Sequence, residues 1–152
     1  MTRMWRAAIL VAVWSVATAA QAPAPEKDAK AQKDDARPDV GLKVSPLIAF
    51  SPAKISVRAE LKGGAVDYEP FYCNTIVWDW DDGTTSENTP DCAPYEAGQS
   101  EIRRFYSATH TYQMAGRYNV RFRMKRGDRV VGGNGTVVQV RPGIRDASEP
   151  PQ

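Results

Sequence analysis

The residues able to do chemistry in this chain gather between positions 67 and 129. Asp79, Asp81 and Asp82 are the densest carboxylate cluster, and several oxygens from one loop are what a calcium ion takes. Their spacing is not that of an EF-hand. The expected reading is instead a turn at Asp82-Gly83, with Asp79 and Asp81 paired to basic residues on the neighbouring strand. No cofactor is therefore expected, with calcium at Asp79, Asp81 and Asp82 as the alternative. Two cysteines, Cys73 and Cys92, and a single histidine, His110, are too few for a zinc site. No Ser-His-Asp order and no phosphate-binding glycine loop is present, so no catalytic residue and no enzymatic activity is expected.

Charge is segregated along the chain. Between Asp67 and Glu101 there are nine acidic residues and no basic one. Between Arg103 and Arg129 there are eight basic residues, opposed only by Asp128. Arg121, Arg123 and Lys125 project from one face of a strand. That stripe is expected to pair across strands with Asp79 and Asp81, each pair contributing roughly 0.2–1 kcal/mol. Its alternative role is a binding stripe for an anionic polymer or membrane surface. The net charge of +2 is too small to suggest a nucleic-acid partner.

Tyr68, Phe71, Tyr72, Tyr95, Phe105 and Tyr106 lie close in sequence to the cysteines. They form either a platform for sugar rings or a protein, with Tyr72 and Tyr95 as its candidates, or a cluster packed beneath the 83–104 loop. Arg126-Gly127-Asp128 spells an adhesion tripeptide but suits a turn between strands. Asn134-Gly135-Thr136 is a glycosylation sequon, and Asn-Gly is also a tight-turn pair.

The elements that position these residues begin after a leader. Arg3 and Arg6 precede an apolar run from Ala7 to Trp14, and Ala17-Thr18-Ala19 closes it with an A-x-A cleavage pattern. The run is shorter than the ~20 residues that span a bilayer, so residues 1–19 read as a cleavable signal peptide and the mature chain carries no transmembrane segment. The expected location is secreted or periplasmic. In such an oxidising compartment Cys73 and Cys92 read as a disulfide, contributing roughly 3 kcal/mol in the chain-entropy model. Residues 20–41, rich in alanine, proline and mixed charge, read as a disordered linker. Residues 42–141 read as one domain, and 142–152 as a flexible tail.

Inside the domain the hydrophobic period is two. Ile55, Val57, Ala59 and Leu61 alternate with polar residues and stop at Gly63-Gly64. Ile76, Trp78 and Trp80 do so before Asp82-Gly83, and Tyr118, Val120, Phe122 and Met124 do so between Gly116 and Gly127. Thr136, Val138 and Val140 alternate before Pro142. Residues 43–50 and 100–112 also suit strands, and no window makes an amphipathic helix. The fold class is all-β, an immunoglobulin-like antiparallel β-sandwich. Trp78 takes the place of the buried strand-C tryptophan, and Gly116-Arg117-Tyr118 that of a tyrosine corner. Val120 stands where antibody domains have their second cysteine, so Cys73–Cys92 must instead tie the tryptophan strand to the loop after it.

Two stretches resemble the PKD domain, the polycystic-kidney-disease-type immunoglobulin-like module. Trp78-Asp79-Trp80-Asp81-Asp82-Gly83 is similar to the family's W-D-F-G-D-G. His110-Thr111-Tyr112, followed by Gly116-Arg117-Tyr118-Asn119-Val120, is similar to its H-T-Y…G-x-Y-x-V. Trp80 replaces phenylalanine, Asp81 the first glycine, and Ala115 a frequent proline. The resemblance implies an extracellular β-sandwich that serves as a spacer or contacts protein or carbohydrate, without catalytic residues. The expected function is thus an exported, non-catalytic module acting in protein interaction or as a structural spacer. Its alternative is a carbohydrate-binding protein using the aromatic and long-loop surface. The expected partner is a protein or polysaccharide outside the cytoplasm.

Overall fold

In the computed structural model, which describes residues 36–143, alternating apolar side chains build two sheets facing one another. The first has three strands in the order β1 (Asp39–Ser45), β3 (Ala53–Lys62), β6 (Phe105–Tyr112). The second has five, in the order β2 (Ile48–Phe50), β8 (Arg129–Arg141), β7 (Gly116–Arg126), β4 (Thr75–Asp79), β5 (Thr85–Asn88). β3 shows the period-two rule plainly: Ala53, Ile55, Val57, Ala59 and Leu61 are buried while Lys54, Ser56, Arg58 and Lys62 are exposed. Against them pack Trp78, Trp80, Val120, Phe122, Met124, Val138 and Val140, so the core is the layer between the sheets. Among the described residues the only helix is a short 3-10 turn, Glu69–Phe71.

Four expectations need correction. The folded unit starts before residue 42. Pro38 is fully buried, Arg37 donates to the Val131 carbonyl, and the Ala65 amide donates to the Ala36 carbonyl. β1 then places Val40, Leu42 and Val44 on the core side, so residues 36–41 belong to the domain and not to a linker. The stretch 43–50 is two strands. Pro46, which has no amide hydrogen to donate, separates β1 from β2, and β2 crosses to the other sheet. There β2 runs parallel to β8, so one ladder of the sandwich is not antiparallel.

The 83–104 segment is not wholly a loop, because Thr85–Asn88 pairs with β4 as β5. Finally, Asn134-Gly135 makes no turn. Both residues sit inside β8, opposite Phe122 and Arg121, and the turn between β7 and β8 falls at Gly127-Asp128, where Gly127 has φ +58°. β8 ends at Arg141, and beyond it Gly143, within the expected tail, is buried and its amide donates to Ser51 Oγ. The signal peptide, residues 20–35 of the expected linker and 144–152 of the expected tail lie outside the described residues.

Candidate functional site

The motif residues meet at one end of the sandwich, where β4 stops and β6 and β7 face it. The alternation of β4, carried one residue past its end at Asp79, sends Trp78 and Trp80 inward, and their rings stack with centroids 6.0 Å apart. His110, inward from β6, stacks on Trp80 at 4.6 Å. The Tyr112 ring meets His110 edge-on at 4.8 Å and stacks on Tyr118 at 3.9 Å. Trp78 also packs on Phe122 at 4.8 Å. Six rings thus run from one sheet to the other and back. Each aromatic contact of this kind contributes about 0.5–1.5 kcal/mol beyond the area it buries.

Each polar atom described at this site has a specific partner. Tyr112 Oη donates to the Trp80 carbonyl at 2.8 Å, and Trp80 Nε1 donates to Ser86 Oγ at 2.9 Å. Tyr118 Oη donates to the Met114 carbonyl at 2.9 Å, closing the tyrosine corner across Gly116. A side chain at Gly116 would put its Cβ 3.0 Å from the Tyr118 ring, which explains the glycine. Val120 is fully buried in the core.

Asp82 Oδ2 lies 2.7 Å from His110 Nε2, and its Oδ1 accepts from the Thr84 hydroxyl and amide. Partial burial raises the Asp82 pKa, but the bonds from Thr84 and His110 outweigh it, so the carboxyl sits below its usual value. Burial pushes the Tyr112 phenol well up, with Asp82 and its neighbours adding to the shift. Gly83, at φ +87°, lets the chain turn back into β5.

The cluster of three carboxylates divides among different partners. Asp79 faces Arg121 in register, 3.5 Å from Arg121 Nη1, and also bonds Arg123. This is the expected cross-strand pairing. Asp81 does not pair with the stripe. It lies beyond β4 at φ +63°, a left-handed conformation that aspartate tolerates better than most residues, and its Oδ2 accepts from the Asn119 amide at 2.9 Å. Lys125 sits opposite Thr75, with no ion pair among the described residues. Among the described residues, no group of three or more His, Cys, Asp or Glu is placed to hold one metal ion.

Cys73 and Cys92 are bonded, their Cα atoms 6.1 Å apart, and join the residues before β4 to the loop after β5. The aromatic residues beside them divide. Phe71 is buried, and Tyr106 packs on Phe122 at 5.5 Å. Tyr72 and Tyr95 meet edge-on at 5.5 Å, and their hydroxyls donate to the Ala93 and Asp67 carbonyls. These two tyrosines clamp the loop. Arg126 pairs with Glu69 at 2.8 Å, and Asn134 Nδ2 donates to the Val40 carbonyl at 2.6 Å, so the tripeptide and the sequon both take part in the fold.

Two structural residues had no motif to reveal them. Arg104 donates to the carbonyls of Leu61, Gly63, Gly64 and Ala65, pinning the turn after β3. Asn74 is buried, and its Nδ2 donates to the Pro70 carbonyl while Oδ1 has no hydrogen-bond partner among the described residues.

No family model matches the sequence, and no curated protein matches it at a significant level. Among solved structures, the comparison finds the PKD domain of an M14-like peptidase from Thermoplasmatales archaeon SCGC AB-540-F20. The likeness covers 68% of this chain and 95% of that one, at 15% identity and a TM-score of 0.47. This chain is similar to a PKD domain. In the PKD-like motif, Trp80, His110, Tyr112 and Tyr118 supply the ring train, while Asp82, Gly83 and Gly116 shape the turns around it.

Proposed function

We propose that this chain is an exported, non-catalytic PKD-like module that works by contacting another protein, or by spacing one, outside the cytoplasm. The observation carrying this reading is the use made of the motif's polar groups. Asp79, Asp81, Asp82, His110, Tyr112 and Tyr118 are all engaged with other parts of the same fold. Reactive residue types so engaged serve architecture, and a module of this kind acts through its surface. A disulfide suits an oxidising compartment. No helix among the described residues is long and apolar enough to cross a membrane.

Protein contact is favoured over sugar contact because the Tyr72 and Tyr95 rings pack edge-on against each other, inclined by 63°, and do not lie coplanar as a stacking surface would. The test compares photo-crosslinking of the exported chain to envelope or secreted proteins with its retention on a panel of polysaccharides. Protein crosslinks without polysaccharide retention are expected. Retention on a polysaccharide that Tyr72→Ala and Tyr95→Ala abolish, with the melting temperature unchanged, would establish the carbohydrate reading instead.

A further inference from the structure

The three-stranded sheet ends at β6. Constant-type immunoglobulin sandwiches carry a fourth strand beside the equivalent of β6, but here residues 89–104 run as irregular chain and β6 remains the edge. The Leu61 amide bonds the Arg104 carbonyl, which sets the phase of the ladder. Tyr106, Ala108, His110 and Tyr112 therefore exchange backbone bonds with β3, while Ser107, Thr109 and Thr111 aim theirs at the open side. Natural sheets protect such edges with charge, proline, bulges or short length. β6 is eight residues long and contains no lysine, arginine, carboxylate, proline or glycine.

Beside this edge, between β6 and β5, lies an open cleft of about 440 Å³. Ile76, Trp78 and Tyr106 line it with apolar surface, and Asn74 stands in its wall. Asn74 is 3% exposed, yet its Oδ1 accepts no hydrogen bond among the described residues. Glu87 and Glu101 also line the cleft, and neither holds an ion pair among the described residues. Arg103 lines the cleft as well, its guanidinium over the Tyr106 ring and its Nε donating to the Phe105 carbonyl, so two carboxylates face one cation and the cleft stays net acidic.

We infer that this cleft takes an extended, basic peptide segment, added to β6 as a fourth strand. The edge calls for a polypeptide backbone, because only that supplies donors and acceptors at the strand repeat. Trp78 and Ile76 call for an apolar side chain entering the cleft, and Glu87 and Glu101 call for lysine or arginine on either side of it. The inference rests on the protein-contact reading and names the class of partner.

The test uses the exported chain and a synthetic nonapeptide with threonine at alternate positions. On its other face valine stands at the centre, with lysine on both sides. A second peptide has glutamate in place of lysine. The exported chain's two tryptophans, Trp78 and Trp80, report binding by fluorescence. The lysine peptide is expected to shift their emission saturably, and the glutamate peptide to bind at least about tenfold more weakly. Thr109→Pro blocks the open side of β6 without touching its bonds to β3, and should abolish binding at an unchanged melting temperature. The double substitution Glu87→Lys and Glu101→Lys, at exposed positions, should reverse the preference between the peptides.

Equal binding of both peptides, no binding, or binding unaffected by Thr109→Pro would overturn the inference. So would a dimer in sedimentation that Thr109→Pro dissociates, since a second copy would then occupy the edge. Persistence of envelope-protein crosslinks in Thr109→Pro would defeat this site while leaving the protein-contact reading intact. Polysaccharide retention without peptide binding would defeat both.

Discussion

Asp82 illustrates how a single side chain can be conspicuous in sequence for one chemistry and serve another. Its carboxylate joins β6 to the turn after β4 through His110 and Thr84, and its pKa is lowered on folding despite partial burial. A carboxyl with a depressed folded pKa stabilises the native state above its unfolded value of 3.8, and that contribution disappears as pH falls through the folded value. Urea unfolding should therefore show Asp82→Asn less stable than the native chain at neutral pH, with the difference shrinking below about pH 4. Arg104 makes the opposite case, a surface arginine with no motif that fastens four carbonyls. Arg104→Ala should cost about 1–3 kcal/mol in the same assay. Arg104→Lys should recover only part, because an ammonium cannot reproduce the planar fork.

At the scale of elements, the loop after β5 is held from three points: Cys73–Cys92, the Tyr72 hydroxyl on Ala93 and the Tyr95 hydroxyl on Asp67. Replacing both cysteines by alanine should lower stability by about 3 kcal/mol. It should also open residues 89–104 to proteolysis while β7 and β8 remain protected, which limited digestion followed by mass spectrometry would report. The strands themselves follow from alternation, and β3, β4, β7 and β8 contain the runs that mark them. β5 escapes that logic. Thr85–Asn88 is exposed at every position, so no hydrophobic period marks it, and only pairing with β4 makes it a strand. β2 lies within the stretch expected as strand, 43–50, but its separation from β1 and its place on the second sheet are specified by the ladder it joins on β8 and not by its own pattern.

For the whole molecule, the sequence predicts export, and N-terminal sequencing of the protein recovered outside the cytoplasm should begin at Ala20. Such cleavage removes Arg3 and Arg6, the two residues by which basic exceed acidic ones, so the exported chain is neutral overall yet acidic in its middle and basic beyond it. Asp79, Asp81 and Asp82 each turn to different protein partners. The melting temperature should accordingly stay the same in millimolar calcium and in chelator, and a rise with calcium would reassign these carboxylates as ligands.

The sequence by itself determined the β-sandwich, its tryptophan strand, the tyrosine corner, the disulfide pair and the opposition of Asp79 to the arginines. All of these depend on local period, turn chemistry or residue counts, which are written along the chain. Only the tertiary structure decided that Asp81 bonds a backbone amide, that Asn134 lies within a strand, and that the domain reaches back to Ala36. It also decided that β6 is an edge beside an acidic cleft. Those features arise from segments tens of residues apart, whose meeting is set by how two sheets close on one core and not by any neighbour in sequence.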